Sequence, residues 1–311
     1  MKRSLLAAGI LGLCWFGACA RQEASGCFVG AFLGDVPSSE SIDRFQKEYG
    51  KKPFLVLTFL DWGKYPAESV IRDVYAQNCV LMVTWEPWVA ATQKGIDYDA
   101  LLAGKEDGYI RTFALRIKSV GKTVFLRFAH EMNGDWYPWS GQKIGGAKYQ
   151  RLFRHVRNIF DQVGAGNVQW VFSLNAENVP RENDSALCYP GDRYVDYVGL
   201  DGYNWGTTQS WSRWKSFRDI FLGVYDDVVR RYKKPVIVSE FSSSSAGGDK
   251  ALWIEDALQT MRHMPAVKGF ILFNVDKEVD WRFPPNIASG QKLRSGLADP
   301  YFQEALKGSL S

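Results

Sequence analysis

Residues 123–140 read TVFLRFAHEMNGDWYPWS. The first six, Thr123 to Phe128, form an apolar run carrying one charge, the pattern of a strand buried on both faces. The character changes within two residues. His130, Glu131 and Asn133 crowd polar chemistry onto the strand's end, and Gly134, Asp135 and Pro138 then turn the chain. Trp136, Tyr137 and Trp139 surround that turn with aromatic surface. A carboxylic acid beside a histidine and an aromatic wall sits where its pKa can rise, as a general acid at neutral pH requires.

Working outward, seven further apolar runs share this form: Cys27–Leu33, Phe54–Phe59, Val80–Thr84, Val168–Ser173, Tyr197–Leu200, Val236–Ser239 and Gly269–Phe273. Between them lie amphipathic stretches at Ser41–Tyr49, Ser69–Gln77, Asp107–Val120, Ala147–Val163, Arg213–Tyr232 and Lys250–His263. In the fourth, Leu152, Phe153, Val156, Ile159, Phe160 and Val163 keep the three-four spacing of one helix face. Residues 176–195 read mostly as loop. Eight strands with helical crossovers predict an α/β fold, a single (β/α)8 TIM barrel, and no G-x-G-x-x-G follows any strand to favour a dinucleotide-binding sheet.

In such a barrel, chemistry gathers at the C-terminal ends of the strands. Those ends carry Asp35, then Asp61 and Trp62, then Trp85, Glu86 and Trp88, then His130 and Glu131. Asn175 and Glu177 follow on the fifth strand, Asp201, Tyr203, Asn204 and Trp205 on the sixth, and Glu240 on the seventh; Asn274, Asp276 and Trp281 close the set. Seven tryptophans (Trp62, Trp85, Trp88, Trp136, Trp139, Trp205, Trp281) are expected to ring one face and offer flat apolar area to sugar rings. Glu240 ends a compact buried run three strands beyond Glu131, so the two carboxylates should face each other across the mouth. Arg127, inside an apolar strand, needs a carboxylate partner to be buried, and Glu240 is the candidate. Tyr203 is placed to donate its hydroxyl to Glu240, and strand alternation sends His130 to the other side from Glu131, toward the sugar or the neighbour of Glu240.

The stretch His130-Glu131-Met132-Asn133-Gly134, with Trp136-Tyr137-Pro138-Trp139 after it, resembles the acid/base motif of glycoside hydrolase family 26, which contains endo-β-mannanases, mixed-linkage β-glucanases and some β-xylanases. The resemblance implies a retaining endo-β-glycanase with Glu131 as proton donor and Glu240 as nucleophile, and it supports the tyrosine role given to Tyr203 in Asp201-Gly202-Tyr203-Asn204-Trp205. His130, Trp136, Tyr203, Trp205, Trp85, Trp281, Arg127 and Asn175 form the expected substrate-binding set, with Trp136 and Trp205 as stacking platforms. Pro138 stands where the family's mannanases carry a second tryptophan, and Glu86-Pro87-Trp88 stands where they carry a histidine; both departures lean toward a glucan-type substrate over mannan. The resemblance covers the layout of the whole mature chain and, at motif level, residues 127–139, 199–205, 236–241 and 274–282.

Lys2 and Arg3 precede an apolar stretch from Leu5 to Ala18, too short for a spanning helix, which predicts an export signal over residues 1–19. Phe16-Gly17-Ala18-Cys19 resembles a bacterial lipobox, so a lipid on Cys19 is expected to tether an exported chain to the cell envelope, with residues 20–26 as tether and 27–311 as the catalytic barrel; Ala18-Cys19-Ala20 also fits ordinary signal peptidase and simple secretion. A net charge of +4 without a long basic block gives no nucleic-acid surface. Cys27 and Cys79 open strands one and three, roughly 10 Å apart, too far for a disulfide. No cofactor, no metal site and a monomer are expected, with a polysaccharide or oligosaccharide as the partner. Three alternatives stand beside this reading: an inactive glycan-binding lipoprotein on the same barrel, an exopolysaccharide-processing glycosidase, and a metal-dependent sugar isomerase. The last is weakened because the chain has three histidines, of which His155 and His263 fall on helical stretches.

Overall fold

The protein is described from a computed structural model over residues 26–304. Eight parallel strands run in chain order: β1 (Cys27–Phe32), β2 (Leu55–Asp61), β3 (Val80–Glu86), β4 (Val124–Phe128), β5 (Val168–Asn175), β6 (Tyr197–Asn204), β7 (Val236–Ser243) and β8 (Val267–Phe273). Each pairs with the next, and β8 pairs with β1, so the sheet closes into the expected (β/α)8 barrel. Helices α1 (Ser39–Tyr49), α2 (Glu68–Ala76), α3 (Asp107–Ser119), α4 (Gly146–Val163), α5 (Phe217–Tyr232), α6 (Lys250–Met261) and α7 (Ala288–Leu297) pack outside it. The β5–β6 connection carries only short 3₁₀ turns at Ser185–Cys188 and Asp192–Tyr194, consistent with its loop-like sequence.

Strand alternation splits the core in two. Phe28, Leu55, Leu57, Met82, Phe125, Val171, Ile237 and Ile271 point inward and fill the barrel, while Val29, Val56, Leu81, Val83, Leu126, Phe172 and Val238 point out against the helices. Helix α4 buries Leu152, Phe153, Val156, Ile159 and Phe160 on that outer shell and stops at Gly164, whose φ of +72° accommodates the left-handed cap. Helix α5 starts at Phe217, four residues later than its apolar pattern suggests. Ser216 and Asp219 form a capping box there, each side chain bonding the other's backbone N–H. Helix α7 escaped the sequence reading because only Ser289, Gly290, Leu293 and Leu297 of its ten residues are buried, too few to mark a face. Phe302–Gln303 adds a short parallel strand beside the start of β1.

The three cysteines of the described region, Cys27, Cys79 and Cys188, are buried free thiols. The expected export signal and Cys19 lie outside the described residues. No helix among the described residues is long and apolar enough to cross a membrane.

Candidate active site

Above the apolar barrel filling lies a layer of inward-facing polar groups: Arg127 from β4, Ser173 from β5, Asp201 from β6 and Ser239 from β7. Arg127 is fully buried and donates through Nη2 to Asp201 Oδ2 at 2.9 Å and to Glu240 Oε1 at 2.8 Å. Ser173 and Ser239 donate to the two oxygens of Asp201, at 2.9 and 2.6 Å. Burial lowers the guanidinium's pKa, but the carboxylates of Asp201 and Glu240 outweigh it and raise it, so Arg127 stays charged. The sequence reading paired Arg127 with Glu240, and the structure adds Asp201 as a second partner. The guanidinium has no exposed surface and lies beneath Glu240.

Glu240 reaches the mouth through a β-bulge. Ile237 and Ser239 of β7 face inward, so strict alternation sends Glu240 outward toward the helices. The pairing with β6 instead steps from Leu200↔Val238 to Asp201↔Glu240, leaving Ser239 as the extra residue. Two neighbours then face the same side, and a bulge re-aims the side chain. The Tyr203 hydroxyl donates to Glu240 Oε2 at 2.5 Å, the geometry expected from the sequence.

Glu131 is held by a strained turn. Ala129 and Glu131 have φ of +50° and +52°, a region costly for residues with a β-carbon. The turn is fixed by Ala129 N–H to the Trp85 carbonyl (3.0 Å) and Glu131 N–H to the Ser173 carbonyl (2.8 Å). Trp136 Nε1 donates to Glu131 Oε2 at 2.8 Å, and its ring lies over Gly134, where a β-carbon would come within 2.3 Å of the indole. Burial, then the Asp201 and Glu240 carboxylates, push the Glu131 carboxyl well above the usual range, against the Trp136 hydrogen bond and the Arg127 charge. The Glu131 side chain therefore keeps its proton at pH values where an exposed glutamate has lost it.

Several residues of the expected substrate-binding set are buried. His130 is 1% exposed; its ring packs on Tyr137 (4.8 Å between centroids) and Phe59 (5.9 Å), and its carbonyl accepts from Trp139 Nε1. The left-handed Ala129 breaks the alternation that was to send it to the sugar, and burial with the Arg127 and Lys277 charges lowers its pKa, keeping the ring neutral. Trp85 faces outward, stacked between Trp62 (4.7 Å) and Phe113 (3.9 Å), because Met82, Thr84 and Glu86 hold the inward parity of β3. Trp281 is buried against Tyr203 (4.8 Å) and Trp205 (4.9 Å). Of the seven expected tryptophans, Trp62, Trp85, Trp139 and Trp281 are buried, while Trp136, Trp205 and Trp88 keep exposed area. Trp211, 71% exposed and packed edge-on to Trp205, joins them without having been anticipated. Asn175 ends β5 half-buried; its N–H donates to Asn133 Oδ1 and its side-chain amide to the Glu177 carbonyl. No group of three or more His, Cys, Asp or Glu among the described residues is arranged to hold a metal ion.

A closed barrel whose mouth carries an acid of raised pKa, bonded by a tryptophan, and a carboxylate gripped by a guanidinium and a phenol has the parts of one class of protein, a glycoside hydrolase. The glycosyl hydrolase family 26 model matches residues 83–225. Endoglucanase H of Acetivibrio thermocellus is 41% identical over 268 residues, 83% of this chain; the chain spans 29% of that protein's length. A mannan endo-1,4-beta-mannosidase of Bacillus subtilis is 35% identical over 120 residues, 36% of this chain and 31% of its own length. Among solved structures, a GH26 beta-mannanase from Bacteroides ovatus superposes with a TM-score of 0.67 at 16% identity, over 90% of this chain and 91% of that one, a likeness of fold. The chain belongs to glycosyl hydrolase family 26.

Proposed function

We infer that the protein is a retaining endo-β-glycanase that cleaves β-1,4-type linkages in a polysaccharide, of β-glucan type in preference to mannan. The observation that carries this is the contrast between the two carboxyls of the mouth. Glu131 is pushed toward its protonated form by burial and two neighbouring carboxylates, while Glu240 accepts hydrogen bonds from Arg127 and Tyr203. In the first step Glu131 gives its proton to the glycosidic oxygen as Glu240 attacks the anomeric carbon, forming a glycosyl ester and releasing the leaving sugar. In the second, Glu131, now a carboxylate, takes a proton from water; the hydroxyl adds to the anomeric carbon and Glu240 leaves with its electron pair. Tyr203 and Arg127 orient the nucleophile, Trp136 orients the acid, and the exposed faces of Trp136 and Trp205 flank the cleavage point.

The glucan preference is supported by the 41% identity to a relative named as an endoglucanase and by Glu86 and Pro138 in the positions already described. Glu240→Ala should abolish hydrolysis of an aryl β-cellobioside, and Glu131→Ala should slow an unactivated oligosaccharide by about 10²–10⁴-fold. A Glu240→Ala variant with native turnover sinks the assignment. Products from defined β-glucan, mannan and xylan oligosaccharides identify the substrate. We also read residues 1–19 as a lipoprotein signal; radiolabelled palmitate incorporated into the wild type but not into Cys19→Ala tests it.

A further inference from the structure

Glu86 is a buried carboxylate of the mouth that the double displacement does not use. It ends β3 with inward parity, opposite Asp61 in the β2 register, and is 6% exposed. Within the protein it accepts one hydrogen bond, from Trp88 Nε1 to Oε2 at 3.1 Å. A buried carboxylate ordinarily takes two or three. Neither Glu86 Oε1 nor the hydroxyl of nearby Tyr137 bonds any group among the described residues. Lys277 reaches over the same space from the segment after β8, its Nζ 6.0 Å from the Phe59 ring centroid and 5.9 Å from that of Phe273. Phe32 stacks on Phe273 at 4.5 Å and meets Phe59 edge-on, so three phenylalanines from β1, β2 and β8 pack beneath the ammonium, and of the three Phe59 keeps exposed area. A part-exposed aromatic ring and a carboxylate acceptor in one mouth suit a ligand ring with C–H faces and a rim of hydroxyls.

Resting on the glycanase reading, we propose that Glu86 determines specificity: its Oε1 accepts a hydroxyl of the sugar seated beside the reaction centre. The electrostatics agree. Burial raises the Glu86 pKa to about 7, with Asp61 and Glu240 pushing the same way and the Trp88 hydrogen bond and Lys277 opposing. At neutral pH the group is poised between accepting a sugar hydroxyl as carboxylate and donating to it as acid. Asp61 on β2, Glu240 on β7 and Lys277 after β8 are the charges that act on it, and Lys277 is itself paired with Glu278 at 3.3 Å. A site built to pair with one hydroxyl rejects the ligand that lacks it, because its own group, cut off from water once the sugar is seated, is then left unpaired.

The test uses the full chain, an aryl β-cellobioside and its monodeoxy analogues. For the wild type, one analogue should lose about 10- to 100-fold in kcat/KM. Glu86→Ala should lose a similar factor on the parent and nothing more on that analogue. Additive losses at every hydroxyl overturn the proposal. Should Glu86→Ala melt early, Glu86→Gln carries the comparison, since its amide oxygen still accepts from Trp88. In that variant the wild-type inflection of KM near pH 7 should vanish while kcat changes little, and its persistence is equally fatal. Loss of all turnover in Glu240→Ala alongside additive deoxy effects leaves the glycanase reading standing and removes only this one. A wild type inert on the whole panel removes both.

Discussion

Glu131 shows how a single residue links stability to chemistry. In the unfolded chain its carboxyl ionises in the ordinary range, whereas in the folded protein burial holds the proton to much higher pH. Between those two values the folded state binds the extra proton, so stability falls as pH rises from the unfolded pKa through the folded one. Each unit of the shift is worth about 1.4 kcal/mol. Glu131→Gln keeps an acceptor for Trp136 and removes that cost, so it should be more stable than the wild type at pH 8 and equal to it at pH 4, by urea titration. It should also abolish the alkaline limb of kcat/KM. Arg127 has the opposite character: Arg127→Ala strands Asp201 and Glu240 without their cation and should cost about 3–5 kcal/mol, seen as a lower denaturation midpoint.

Among the elements, β6 and β7 carry the most site-specific geometry. Gly199 on β6 faces inward, where a β-carbon would lie 2.4 Å from Ser173 Oγ and 2.5 Å from Ser239 Oγ, the two hydroxyls that hold Asp201. Gly199→Ala should therefore destabilise the protein by about 1–3 kcal/mol, as overpacking does, and lower kcat through Arg127 and Glu240. Unchanged stability would show that the serine layer yields freely. The bulge at Ser239 was not legible in Val236–Ser239, because a run buried on both faces has no polar side to reveal a lost alternation. The missed parity of β3 has the same origin. Trp85 looked like a mouth residue by its place in the chain, yet Glu86 beside it takes the inward position.

At the scale of the whole molecule, ring closure brings Glu131 and Glu240 to one rim although three strands separate β4 from β7. The double displacement proposed for this pair returns the starting configuration. Proton NMR of the first turnovers should therefore show the β-anomer appearing before mutarotation; an initial α-anomer means single displacement. No step of this chemistry calls on a metal ion, so dialysis against a chelator should leave turnover unchanged, and a loss restored by a divalent cation would contradict the mechanism.

The sequence alone determined the eight strands, most helix faces, the acid-bearing turn and the pairing of Arg127 and Tyr203 with Glu240, because local periodicity and the need to compensate a buried charge are written in neighbouring residues. Tertiary structure alone decided which tryptophans reach the mouth, that His130 is sealed behind Tyr137, that Asp201 shares Arg127, and that Glu86 takes the inward position opposite Asp61. Those outcomes depend on strand register, one bulge and two left-handed residues, each of which reverses the face a side chain takes without altering the composition that announces the strand.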